Sequence, residues 1–240
     1  MTAAIIGTNL SYILLTFLPP LIWLAFYLRE DCHPEPKRLL LLAFIGGICS
    51  AILALYIEAL LIGKGGVFAH IFSLETTPFY FFLLIALVEE YMKYFAIKLL
   101  ILKRTDFNEP VDGMIYMMTA ALGFAAIENT LFILPLLQTS IITGIEVATN
   151  RFLGANLLHA LSSGIVGFFL ARSWFSPHRH HFILLGIGIA TLLHAEFNYL
   201  ILVQEEFSQG TFYIIFLLTT MAAMVFIEFE RLRNKELKSF

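Results

Sequence analysis

Residues 87–100 read LVEEYMKYFAIKLL, and the fold turns on how Glu89, Glu90 and Lys93 are housed. They interrupt the run FYFFLLIALVEEYMKYFAIKLLIL, residues 79–102, which as a helix is long enough to cross a bilayer. A charge near the bilayer centre costs several kcal/mol by insertion scales, so such groups face a protein interior or a water-filled cavity. Something in the rest of the chain has to offset that cost.

The chain is too apolar for an ordinary soluble domain: of 240 residues 59% are hydrophobic and only 14% charged, and the mean hydropathy is +0.84. It reads as an integral membrane protein with the lipid bilayer as its surroundings. With a net charge of -3 and no basic stripe interleaved with aromatics, nothing points to nucleic acid, and no nucleic-acid partner is expected. Cys32 in a polar loop and Cys49 in an apolar run form no pairing pattern and no CxxC signature. The first apolar stretch, residues 10–28, lacks a basic leader and is too long for a signal-peptide core, so it reads as a retained span.

About twenty apolar residues cross the hydrocarbon as a helix. That length predicts an all-α polytopic membrane bundle of about seven transmembrane helices, roughly 8–28, 39–62, 77–102, 112–136, 151–171, 182–204 and 210–230. Thr77 before Pro78 and Glu109 before Pro110 are helix-start signals. Pro19 and Pro20 kink the first span, and Pro135 bends or ends the fourth. With no repeat, low-complexity tract or long linker, residues 1–240 read as one domain, its chemistry gathered in about 77–204 and a basic tail at 231–240. Arg29, Lys37, Arg38, Lys98, Lys103, Arg104, Arg172, Arg179, Arg231, Arg233, Lys235 and Lys238 all fall on one side, whereas the connections around GKGG, LQTSIITGIEVATN and VQEEFSQG hold only Lys64. Because cytoplasmic loops carry the excess of Lys and Arg, this predicts a multi-pass protein of the cell membrane with its N-terminus outside and its C-terminus in the cytoplasm.

Polar residues then concentrate at one depth. Lys93 lies three and four residues beyond Glu90 and Glu89, beside them on the helix. Glu128 stands about sixteen residues, roughly 24 Å, from the cytoplasmic end of its span. Arg151 opens the fifth span with His159 about 12 Å deeper, and His194 lies mid-way along the sixth with Asn198 one turn on. Singly, each has an ordinary explanation: an ion pair, a satisfied core histidine, a snorkelling arginine, an asparagine that glues helices. Glu89, Glu90, Glu128, His159 and His194 at one level are hard to explain as five accidents. Such a set serves proton or ion translocation, metal binding, or activation of water for hydrolysis. An ion-coupled carrier is disfavoured because no inverted repeat or matched pair of broken spans is present. HExxH is absent, so a metal would need a site built across helices, with His159, His194 and Glu128 the ligands to test first. For hydrolysis, two adjacent carboxylates divide the work: one neutral, the other an anionic base paired with Lys93. Ser162 and Ser163 follow His159, but a nearby serine is weak evidence of a dyad.

The ordered motifs resemble those of the PrsW-type intramembrane proteases, relatives of the CAAX prenyl proteases. EEYMK (89–93) is similar to their EExxK, GFAAIEN (123–129) to FxxxE, RFLGANLLH (151–159) to their Arg-then-His element, and HAEFN (194–198) to HxxxD; EPVDGMIY (109–116) also looks like theirs. Asn198 stands where an Asp is common. The resemblance implies a glutamate-dependent hydrolase that cuts a peptide bond in or near the membrane span of a single-span protein, an anti-sigma factor in the founding example. Carried over, it makes Glu89 the base, with Glu90 and Lys93 setting its charge and Glu128 holding the water. His159 and His194, with Asn198, would polarise the carbonyl or stabilise the oxyanion, and Arg151 would neutralise Glu128 or meet the substrate. A metal-free mechanism with no cofactor is expected, since no compact ligand motif is present; a zinc-dependent version is the alternative.

Overall fold

The computed structural model describes residues 2–30, 33–174, 176–204 and 209–236, so Cys32, Lys238 and the EEFS stretch at 205–208 lie outside the described residues. Long apolar runs give helices: α1 Thr2–Tyr27, α2 Lys37–Ile62, α3 Pro78–Leu100, α4 Asp112–Thr139, α5 Ile141–Leu153, α6 Ala155–Ser173, α7 Arg179–Val203 and α8 Gly210–Glu236. No strand occurs among the described residues. Six stretches are long and apolar enough to cross a membrane: Leu10–Tyr27, Lys37–Ile62, Asp112–Thr139, Ile141–Ser173, Arg179–Val203 and Gly210–Arg233. The seventh expected span, α3, has the length, at 23 residues. It is not apolar enough, because Glu89, Glu90 and Lys93 stand in its middle. Pro19, Pro20 and Pro135 all lie inside their helices and end none of them.

One departure from the sequence reading concerns LQTSIITGIEVATN. Expected as a connection, it is largely the helix α5, and only Gly154 separates it from α6. Polar residues interleave with apolar ones here because the helix is amphipathic: Ile141, Ile142, Ile145 and Leu153 are exposed, while Gly144 lies so close to α4 that an added Cβ would sit 2.4 Å from Leu137 Cδ2. Trp23 of α1 ties its far end down, donating to the Phe152 carbonyl at 2.8 Å and stacking on the Phe152 ring at 5.3 Å.

At the centre is α4, buried without interruption from Asp112 to Ala126, as a helix surrounded by other helices must be. Small residues let its neighbours close on it. A Cβ on Gly47 of α2 would meet the Ala120 carbonyl oxygen at 1.9 Å, and one on Gly167 of α6 would meet that of Gly113 at 2.5 Å. This packing of α2 and α6 on α4, with α3 against α2 and α7, brings the charged middle of α3 to the inside of the bundle.

Candidate active site

Glu90 is fully buried and is held from three helices. Its Oε1 accepts from Lys93 Nζ at 2.8 Å, Ser162 Oγ at 2.9 Å and His194 Nδ1 at 2.9 Å; its Oε2 accepts from Ser163 Oγ at 3.0 Å. Four donors on one carboxylate leave it little capacity for anything else. Because an ionised carboxylate only accepts, His194 carries its proton on Nδ1 and presents the Nε2 lone pair.

Lys93 joins this group to a second one. Its Nζ lies 2.8 Å from His159 Nδ1, 3.8 Å from Glu89 Oε2 and 4.5 Å above the Phe124 ring. An ammonium only donates, so His159 Nδ1 accepts and Nε2 bears the ring proton, which is given to Glu128 Oε2 at 2.6 Å. The same oxygen takes Arg151 Nη2 at 3.2 Å. Arg151 Nε donates to Asn129 Oδ1 at 2.6 Å, and Asn129 Nδ2 donates to Asn156 Oδ1 at 3.0 Å. Of the two expected roles for Arg151, the structure thus shows the pairing with Glu128. A continuous chain of donors and acceptors runs from Glu90 to Asn156, as buried charges require.

Glu89 differs from its neighbour. It is 5% exposed, yet its Oε2 has no hydrogen-bond partner among the described residues. Around that oxygen lie Lys93 Nζ at 3.8 Å, His194 Nε2 at 3.6 Å and His159 Nδ1 at 4.0 Å, with the two imidazoles edge to face at 5.0 Å. Glu89, His159 and His194 each offer an atom within 4.8 Å of the others. Two histidines and a glutamate are a donor set that catalytic zinc uses, with water as the fourth ligand, so the residues fit a divalent cation in kind. Glu89 takes the place in this trio that the sequence reading gives to Glu128, which lies on the other nitrogen of the His159 ring. His159 Nδ1 already accepts from Lys93, so a cation would need that bond released.

All five acid and histidine candidates belong to this one connected set. Asn198, a turn beyond His194, is half-buried, and its side chain has no hydrogen-bond partner among the described residues. Ser162 and Ser163 are not a nucleophile's surroundings but donors to Glu90. Asn129, Asn156 and Glu58 were not singled out by the sequence; the signal for Glu58, a carboxylate in the apolar run ALYIEALLI, was the same as for Glu89.

Fold and centre together define a class: a polytopic membrane protein with carboxylate and histidine chemistry at a buried level. Residues 35–226 match the family described as PrsW family intramembrane metalloprotease, and the chain belongs to that family. It is 30% identical over 182 residues to the protease PrsW of Geobacillus kaustophilus, covering 75% of each chain. To protease PrsW of Bacillus subtilis it is 28% identical over 182 residues, 73% of this chain and 75% of that one. The protease PrsW of Clostridioides difficile is 26% identical over 204 residues, 83% of each. No solved structure matches the chain.

Proposed function

We propose that this intramembrane peptidase cuts single-span membrane proteins of the anti-sigma-factor kind, with Glu89 as the base that activates water. The observation that carries the reading is the contrast between neighbours: Glu90 is saturated by four donors, whereas Glu89 has a buried oxygen with none. Glu89 takes a proton from water as the water oxygen attacks the scissile carbonyl carbon; the C–N bond then breaks and that proton passes to the leaving nitrogen. Glu90 is a positioning residue that fixes Lys93 and His194. Glu128, itself held by Arg151, orients His159, which keeps Lys93 beside Glu89. In this hydrogen-bonded state neither imidazole has a free N–H, so of the three oxyanion candidates the Asn198 amide, one turn beyond His194 on α7, is the one that keeps donors to offer, a contribution worth about 3 kcal/mol for one donor. His194 Nε2 accepts the scissile N–H, which has no water to satisfy it inside a bilayer.

The trio Glu89, His159 and His194 favours a second reading, in which a divalent cation bound there would polarise the water. The metal-free form is preferred because the Lys93 ammonium already places positive charge against two of those three residues. The Lys and Arg distribution supports an orientation with the N-terminus outside and the C-terminus in the cytoplasm. Purified protein in detergent, incubated with the single-span segment of an anti-sigma factor, is expected to cut it, and Glu89→Gln to abolish the cut. Equal cutting by both proteins would remove Glu89 from the role.

A further inference from the structure

Glu58 of α2 belongs to none of the motifs above. Its position follows from a stripe of small residues: Gly47, Ala51 and Ala54 are buried, and Ala51 and Ala54 pack with Met92 of α3 and Phe124 of α4. Glu58 extends that stripe one turn beyond Ala54, as Glu128 lies one turn beyond Phe124. Three carboxylates therefore reach one level from three helices, where Glu58 interacts electrostatically with Glu89, Glu128 and Lys93.

Pairing at that level is uneven. Glu90 takes Lys93 at 2.8 Å and Glu128 takes Arg151 at 3.2 Å. Glu58 Oε1 and Glu89 Oε2 are each buried without a hydrogen-bond partner among the described residues. Two such buried acceptors are satisfied by a donor with two hydrogens, and water is that donor. We propose that Glu58 is a water-positioning residue, which with Glu89 holds the hydrolytic water, Glu89 facing the hydrogen to be removed and Glu58 the one that stays. This rests on the protease reading and adds to it. No proton passes to Glu58: the hydrogen it holds remains on the attacking oxygen and leaves in the new carboxyl group of the product.

The test uses the full chain in detergent with the same single-span segment, comparing wild type, Glu89→Gln, Glu58→Leu and Glu58→Gln. Losing a hydrogen bond made to a charged group should lower kcat for Glu58→Leu at least about tenfold, with KM unchanged and thermal unfolding no lower than wild type. Glu58→Gln keeps an acceptor oxygen and should stay within about threefold of wild type. A Glu58→Leu protein with wild-type kcat, or with only KM altered, overturns the proposal. So does a Glu58→Gln protein as slow as Glu58→Leu, which would assign the effect to charge. The protease reading stands or falls separately, on whether wild type cuts and Glu89→Gln does not; wild type that cuts nothing ends both.

Discussion

Replacing Glu90 with Gln should cost far more stability than the same change at Glu89, although the two are adjacent and chemically identical. At Glu90 the amide oxygen can keep the three donors now on Oε1, but the charge that balances a fully buried Lys93 is gone. The remaining anion near Lys93 is then Glu89, at 3.8 Å. Removing one partner of a buried ion pair costs about 3–5 kcal/mol, and at about 2–4 °C per kcal/mol for a chain of this size the unfolding temperature should fall by on the order of 10 °C. Glu89→Gln removes no hydrogen bond and leaves Lys93 with Glu90 at 2.8 Å. Since a neutral amide is easier to bury than an anion, its unfolding temperature should equal or exceed that of wild type. Cleavage should fall in both: by at least about a hundredfold in Glu89→Gln, which loses the base, and in Glu90→Gln because Lys93 turns onto Glu89 and neutralises it. Thermal unfolding in detergent and cleavage of one substrate, measured on both proteins, separate the two roles. Glu90→Gln unfolding with wild type, or Glu89→Gln unfolding below Glu90→Gln, would refute the division of labour.

Lys93→Met should destabilise the protein more than Glu89→Gln and abolish cleavage, because it strips Glu89, Glu90 and His159 Nδ1 of their shared cation; thermal unfolding of the two variants side by side checks the order. For topology, with Cys32 and Cys49 replaced, a cysteine introduced at Gln209 should be labelled from outside the cell and one at Ser176 should not; the reverse pattern inverts the protein. Activity should survive a strong chelator, and purified protein should carry less than stoichiometric zinc. One tightly held zinc per chain, with activity tracking its removal and return, would make ligands of Glu89, His159 and His194.

Length and apolarity mark six of the spans, since a bilayer asks little else of a helix, while α3 has the length but carries Glu89, Glu90 and Lys93 in its middle. They misjudged α5 because Thr143, Glu146, Thr149 and Asn150 dilute its apolar face and Gly154 reads as a break; the partner that makes it a helix, α4, is supplied by the fold. The gathering of Glu89, Glu90, Glu128, His159 and His194 was legible because each is costly in lipid and all lie at one depth. What depth does not reveal is direction. Ser162 and Ser163 read as neighbours of His159 in sequence, but their hydroxyls serve a carboxylate some seventy residues earlier. Glu58 carries the same signal as Glu89, a carboxylate in an apolar run, but what it faces is fixed only when the small-residue face of α2 is set against α3 and α4.

The donors around Glu90 also set a schedule for biogenesis. Lys93 is three residues away in the chain, but Ser162 and Ser163 follow 72 and 73 residues later and His194 follows 104 later. At a synthesis rate of about 5–20 residues per second, α3 therefore leaves the ribosome roughly 4–20 s before its charges can be satisfied. Charges at mid-helix are costly in lipid, so α3 is expected to wait that interval beside α2, or in the insertion machinery, until α6 and α7 arrive. Truncations ending before Ser162 should thus leave α3 accessible to water-soluble reagents, and those ending after Val203 should not.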